Sequence, residues 1–238
     1  MHHVILERWS QRSSALHARD ARAKIIALLG FLIALSTTPS AAQFRIAAYG
    51  AVAILAILIG RVPLFGLLLR AGVVLPFSLT FAIISWFMGD HMRAVALVEK
   101  TYLSAAAVLT VAGTTPLPAL LKGFESLGAP RVLISVIQFL YRYLFVISEQ
   151  AQHMRIAAAC RAGLRKISRR NRFQAAAGAL GVLFARSYHR ADGIYRAMLA
   201  RGYNGHIPVA APARFGAMDA AFAVLALAAF AALRIAPY

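Results

Sequence analysis

Five apolar runs, each bounded by charged or turn-forming residues, constrain this chain more than any other feature. They are Ile25–Thr38, Phe44–Gly60, Leu64–Gly89, Ala94–Gly113 and Phe215–Leu233. Runs approaching 20 apolar residues cross a bilayer as helices, because only a helix satisfies every backbone N–H and C=O where water is absent. The first run is short for a span and borrows Ala21 to Lys24, with Lys24 snorkelling to the interface. Pro39-Ser40 turns the chain, Arg61-Val62-Pro63 ends the second run, and Gly89-Asp90-His91 closes the third. Pro76 predicts a kink in that third run. The composition agrees: 14% charged and 61% hydrophobic residues, mean hydropathy +0.68, against about 25% charged in a soluble domain. An all-α integral membrane protein with about five transmembrane helices follows. The charged stretch ahead of the first run is longer than a leader's n-region and no small-residue cleavage site follows it, so no cleaved signal is expected.

Residues 114–213 have another character. Thr115 reads as an N-cap with Pro116 at the first helical position, and Leu117, Leu120, Leu121 and Phe124 form one apolar face of a short amphipathic helix. Arg131 to Ala162 reads as one long helix, apolar almost all round in VLISVIQFLYRYLFVI and polar from SEQAQHMR onward. After a basic linker, Arg165 to Arg172, a further helix from Phe173 to Arg201 carries Ala177, Leu180, Phe184, Tyr188, Ala191, Tyr195 and Met198 as a one-faced stripe. Pro208 and Pro212 mark a linker to the last span. The expected organisation is four spans in 1–113, three cytoplasmic or interfacial helices in 114–213, and a C-terminal span in 214–238.

Charge gives the orientation. The net charge is +18, from 26 Lys+Arg against 8 Asp+Glu. Arg8, Arg12, Arg19, Arg22 and Lys24 lie in the N-terminal tail, and the 114–214 region holds most of the others. The opposite side keeps only Arg45, Arg93, Lys100 and Arg234. The positive-inside bias then places the N-terminus in the cytoplasm and the C-terminus outside. The excess charge is read as meeting anionic lipid headgroups at the bilayer rather than nucleic acid.

Ala200-Arg201-Gly202, and a weaker echo at Cys160-Arg161-Ala162-Gly163, each end a helix-like run on the basic side. An arginine between small residues makes a compact cationic knob that can grip a carboxylate with two parallel hydrogen bonds. The plainer reading of either one is a helix end satisfying its last carbonyls. Two in one chain favour docking to a two-fold partner. Other chemistry is missing. GxxxxGK[ST], HExxH, GxSxG and GxGxxG do not occur, so energy for transport would come from another chain. No histidines fall at metal-ligand spacing: His2 and His3 read as a solvated tail and His91 as an interfacial cap. Cys160 reads as a packing residue. Ser78, Thr80, Ser85 and Trp86 lack a paired His or carboxylate, so no catalytic residue is assigned. No acidic residue sits mid-span, which argues against a stand-alone channel or secondary transporter.

Asp20-Ala21-Arg22-Ala23-Lys24, Gly113-Thr114-Thr115-Pro116, Tyr141-Arg142-Tyr143-Leu144-Phe145 and Met198-Leu199-Ala200-Arg201-Gly202-Tyr203 resemble the CbiQ family over nearly the whole chain. These are the transmembrane coupling subunits of energy-coupling factor ABC transporters for cobalt or nickel. The resemblance implies a bacterial inner-membrane complex. Two cytoplasmic ABC ATPases would carry ATP and Mg. A metal-binding transmembrane substrate subunit, with or without a small accessory membrane chain, would carry Co or Ni. This chain would bind no cofactor or metal of its own. It implies that the three helices of 114–213 are coupling helices. Arg201, flanked by Ala200 and Gly202, would be one ATPase-docking motif. Arg161 would be the other, with Cys160 in place of the usual alanine and Ala162 third; Arg155 and Arg165 are its alternatives. The substrate subunit is expected on Leu117, Leu120, Leu121, Phe124, Leu140 and Leu144. The permease of another ABC importer, for a vitamin or other small solute, is the alternative.

Overall fold

In the computed structural model, which describes residues 14, 16–162, 168–205 and 215–235, Asp20 starts the first helix by accepting a hydrogen bond from Arg22 N at 2.8 Å. That helix, α1 (Ala21–Thr37), ends where Thr38 turns extended ahead of Pro39, which cannot continue it. α2 (Gln43–Ile59) follows, then Arg61 in the left-handed region (φ 49°) and Pro63 before α3 (Leu64–Ala71). A 3₁₀ turn over Gly72–Val74 separates α3 from α4 (Leu75–Phe87) directly ahead of Pro76, where the kink is expected. Gly89 (φ 86°) and the capping carboxylate of Asp90 lead into α5 (His91–Thr114). α6 (Leu117–Ser126) ends in a left-handed Gly128, with Ala129 N donating back to Phe124 O at 3.0 Å. Two long helices, α7 (Arg131–Ala162) and α8 (Arg169–Ala200), precede α9 (Ala217–Ile235). Among the described residues there is no strand. His2, His3, Gly163, Arg165, Lys166, His206, Pro208, Pro212 and Arg214 lie outside them, as does the side chain of Ala162.

The helices form two units. One holds Met1–Ala129 and Ala213–Tyr238, the other Pro130–Pro212. In the first, α5 touches α1, α2, α3 and α4, and α1 joins it to α6 and α9. α1 is tied to two neighbours at both ends. At its start, Lys24 Nζ donates to Thr114 O (3.1 Å) and Thr115 Oγ1 (2.9 Å) at the end of α5, while Asp20 N donates to Asp219 Oδ1 (3.1 Å) at the start of α9. At its other end, Lys100 of α5 donates to the carbonyls of Ser36 and Thr38, and Arg234 of α9 to Thr37 Oγ1. These ties make α1 and α9 parallel and α5 antiparallel to both. Between them, Phe31, Tyr49 and Phe230 meet edge-to-face, at 5.8 Å for Phe31–Tyr49 and 5.5 Å for Phe31–Phe230. A second buried cluster joins Ile57, Val62, Leu67, Ala71 and Ala106.

Tyr49 is fully buried, and its hydroxyl donates to Phe230 O at 3.2 Å. Tyr49→Phe is expected to cost at most about 1 kcal/mol, since the ring contacts remain and one neutral hydrogen bond is lost. Thermal unfolding of the detergent-solubilised variant checks this; a larger loss would mean that the hydroxyl, not the ring, holds α2 to α9.

Large side chains point outward: Leu29, Ile33, Leu58, Phe77, Phe81 and Leu225 are all exposed. An apolar exterior over an apolar core is what a protein solvated by lipid tails shows. Among the described residues four segments are long and apolar enough to cross a bilayer: Leu64–Phe87, His91–Thr114, Arg131–Arg161 and Ala217–Arg234. α1 and α2, at 17 residues each, rise about 26 Å, a turn short of the roughly 30 Å hydrocarbon core. The chain is an all-α, multi-pass membrane protein.

Candidate functional site

Lys24 is the first departure from sequence expectation. It does not snorkel; it is 3% exposed, and its ammonium grips the α5–α6 corner. That corner is itself buried through Gly113, Thr114 and Thr115. The corner begins one residue later than the capping pattern suggests: Pro116 is the N-cap (φ −65°, ψ 145°) and α6 starts at Leu117. Thr115 does not cap α6; its hydroxyl accepts from Lys24. The segments Asp20–Lys24 and Gly113–Pro116, about 90 residues apart in sequence, thus meet in one polar knot.

The knot sets α6 against α1. Leu121 is buried, and a Cβ on Gly123 would lie 2.9 Å from Ile25 Cδ1 and 3.2 Å from Ala21 Cβ. A larger side chain at Gly123 would have to displace Ile25 and press α6 away from Ala21. Leu117 and Leu120 remain half-buried and Phe124 is exposed. Gly123→Leu is expected to lift α6 off α1 at a cost of about 2 kcal/mol. Limited proteolysis at the 126–130 connection reads this out; cleavage unchanged from wild type would show that the close approach is dispensable.

The second unit is the pair α7 and α8. They face each other through small residues: Ala151, Ala158 and Ala159 of α7 line an open cleft with Ala175, Ala176 and Ala179 of α8. Arg161 stands at the edge of that cleft and is exposed, as is Cys160, which contradicts the packing reading of the cysteine. Arg201 is exposed at the other end of α8, 26 residues beyond Ala175 and so about 39 Å along the axis. Its presentation follows from the helix end: Gly202 adopts φ 79°, Tyr203 N donates to Met198 O at 3.0 Å, and space around Gly202 is open. This is the six-to-one closure that only glycine makes without strain. Among the described residues neither Arg161 nor Arg201 has an ion-pair partner, whereas Arg196 is committed to Asp192 at 2.8 Å.

Each long helix also carries an unpartnered apolar row. On α7, Val136, Leu140 and Leu144 follow an i, i+4 ridge, all exposed. On α8, Phe184, Tyr188, Tyr195 and Leu199 are exposed on the face away from the alanines, while Leu180, also exposed, lines the cleft beside them. The periodicity marks this α8 stripe, but nothing in the sequence says whether α7 covers it. His91 is the first residue of α5, its ring centroid 4.2 Å from that of Trp86, and the cap is Asp90 beside it. Among the described residues no group of three or more His, Cys, Asp or Glu side chains gathers as a metal site would require.

A family model described as CbiQ, cobalt transport protein, matches residues 12–210. An uncharacterized protein of Methanocaldococcus jannaschii is 23% identical over 226 residues, 86% of this chain and 76% of the relative. A second uncharacterized protein of that organism is 28% identical over 102 residues, 43% of this chain and 37% of the relative. The cobalt transport protein CbiQ of Rhodobacter capsulatus is 29% identical over 117 residues, 49% of this chain and 47% of the relative. Against the last two, the match spans less than half of the relative's length.

Proposed function

The chain belongs to the CbiQ family of cobalt transport proteins, and from that premise we propose that it is the transmembrane coupling subunit of an energy-coupling factor importer for cobalt or nickel. The observation that carries this reading is the pair of exposed arginines, without an ion pair among the described residues, at two helix ends of one unit, separated by most of the length of α8. One compact acidic partner would not need contacts so far apart; two copies of a cytoplasmic ATPase would. Arg161, beside Cys160 and Ala162, takes one ATPase, and Arg201, between Ala200 and Gly202, takes the other. Closure of the ATPase pair on ATP moves the two arginines relative to each other, and α7 and α8 carry that motion as levers. The metal-binding membrane subunit rests on Leu117, Leu120 and Phe124 of α6 and on Leu140 and Leu144 of α7; Leu121, expected there from sequence, is buried within the first unit and drops out of that surface. The exposed stripe of α8 extends the apolar area available to it. The ion is cargo held by that partner, and the N-terminus and the arginine-bearing helix ends face the cytoplasm.

Co-expression of the tagged chain with its genomic neighbour ATPases and metal-binding membrane chain tests this. Two ATPase copies are expected to co-purify with each chain in mild detergent. Purification without any ATPase would sink the coupling reading and leave a cobalt transport membrane component that works without this contact.

A further inference from the structure

The first unit holds a cleft of about 250 Å³ between α1, α2, α5 and α9 that the coupling reading does not use. Its floor is buried and includes Phe31, Ala53, Thr110 and Phe230, while Leu55 and Ile59 on its α2 rim are exposed. Ala229 on the α9 side is exposed as well. The cleft therefore opens sideways between α2 and α9. It exists because all four helices present alanine to it: Ala27, Ala56, Ala107 and Ala226. From Lys24 to Phe31 it follows α1 for about 10 Å, a third of the hydrocarbon core.

Water has little to hold it there. The Thr110 hydroxyl donates to Ala106 O at 2.7 Å, and Lys24 is engaged with Thr114 and Thr115. The rest of the lining is carbon, and apolar cavities of this kind stay dry and take apolar ligands. The rim is continuous with the lipid-facing exterior at Leu55 and Leu58. At the polar end, Leu16 and Lys24 line the cleft, and the half-buried Arg19 and Arg22 lie between them in sequence. The two carboxylates nearby already accept backbone N–H groups, Asp20 from Arg22, and Asp219 from Asp20 and Gly216. Cations at headgroup level attract phosphate.

We propose that this cleft is a binding site for one phospholipid, with an acyl chain between α2 and α9 and its phosphate at the level of Arg19 and Arg22. The site goes beyond the transport reading and stands or falls apart from the arginine contacts. Native mass spectrometry of the full chain in mild detergent should show one retained phosphatidylglycerol, lost in Ala56→Phe, which fills the cleft. Ala228→Phe, the same enlargement at an exposed α9 position outside the cleft lining, should retain it. Wild type without lipid, or equal retention in Ala56→Phe, overturns the proposal. A second measurement does not depend on any variant folding. In bilayers of phosphatidylglycerol with a diazirine on its acyl chain, light should attach lipid to Thr110 or Val111 on the cleft floor. Adducts confined to Leu58 and Leu225 on the outer faces would overturn it, as would a floor shielded by the chain's own residues 1–13.

Discussion

Cells producing the Arg161→Glu, Arg201→Glu double variant are expected to accumulate cobalt no faster than cells lacking the chain. Both guanidiniums are exposed and make no ion pair among the described residues, so docking need not break an existing bond. An arginine at the centre of an interface contributes about 2 kcal/mol or more, roughly 30-fold in affinity, and reversal adds repulsion to that loss. Each single variant should keep part of the activity, because the remaining contact tethers the complex and raises the effective concentration at the damaged one. Arg201→Lys separates charge from geometry. It keeps the cation but loses the two-pronged grip, so about a tenfold weaker ATPase association is expected. Metal uptake by the double variant at the wild-type rate would remove both arginines from the mechanism. Uptake lost with ATPase still bound would keep the contact elsewhere and assign the arginines to transmission.

Lys24→Met is expected to lower stability by about 3 kcal/mol, the largest loss of any single side chain outside the aromatic core. It leaves the Thr114 carbonyl and the Thr115 hydroxyl buried without their donor, and each such group costs about 1–3 kcal/mol. For a chain of this size that corresponds to a fall of roughly 6–12 °C in the melting temperature. Lys100→Met is the matched control. Lys100 ties the same two helices at their other ends, but it is itself only half-buried and one of its acceptor residues, Ser36, is exposed although Thr38 is buried, so water replaces part of the contact and the loss should stay below about 1 kcal/mol. Thr115→Val combined with Lys24→Met should be less harmful than the sum of the two, because the second change removes a group the first left stranded. Equal melting of the Lys24 and Lys100 variants would show that burial of Lys24 does not matter.

Leu64–Phe87, His91–Thr114 and Ala217–Arg234 were legible as spans from apolar run length, whereas Arg131–Arg161, whose polar second half reads as cytoplasmic or interfacial, is also long and apolar enough to cross. The Pro76 break and the Gly202 helix end were legible from single residues whose backbone demands are local. Lys24 was not, because a lysine near a span end snorkels by default and only a partner about 90 residues away in sequence keeps it inside. The same partner takes the Thr115 hydroxyl, so the capping pattern at Thr115-Pro116 was misread by one residue. Cys160 was assigned to packing on its alanine-rich surroundings; α7 turns other alanines to α8 and leaves the cysteine exposed. Period alone placed Leu180, Phe184, Tyr188 and Tyr195 on one face, but a face becomes a surface or a core only when its neighbour is known. The arginine ends were visible as motifs, and their separation along α8 followed once that helix proved continuous.

The ties at the start of α1 also impose an order on synthesis. Lys24 leaves the ribosome long before Thr114 and Thr115 exist, and Asp20 N waits for Asp219, 199 residues later. Until then α1 carries an unpaired ammonium that an apolar environment rejects. This early helix is therefore among the last to settle. It stays near the membrane surface or with the insertion machinery until α5 arrives, and is sealed when α9 lays Asp219 beside it. A nascent chain stalled before residue 217 carries all the residues of the first four apolar runs and still has no closed bundle.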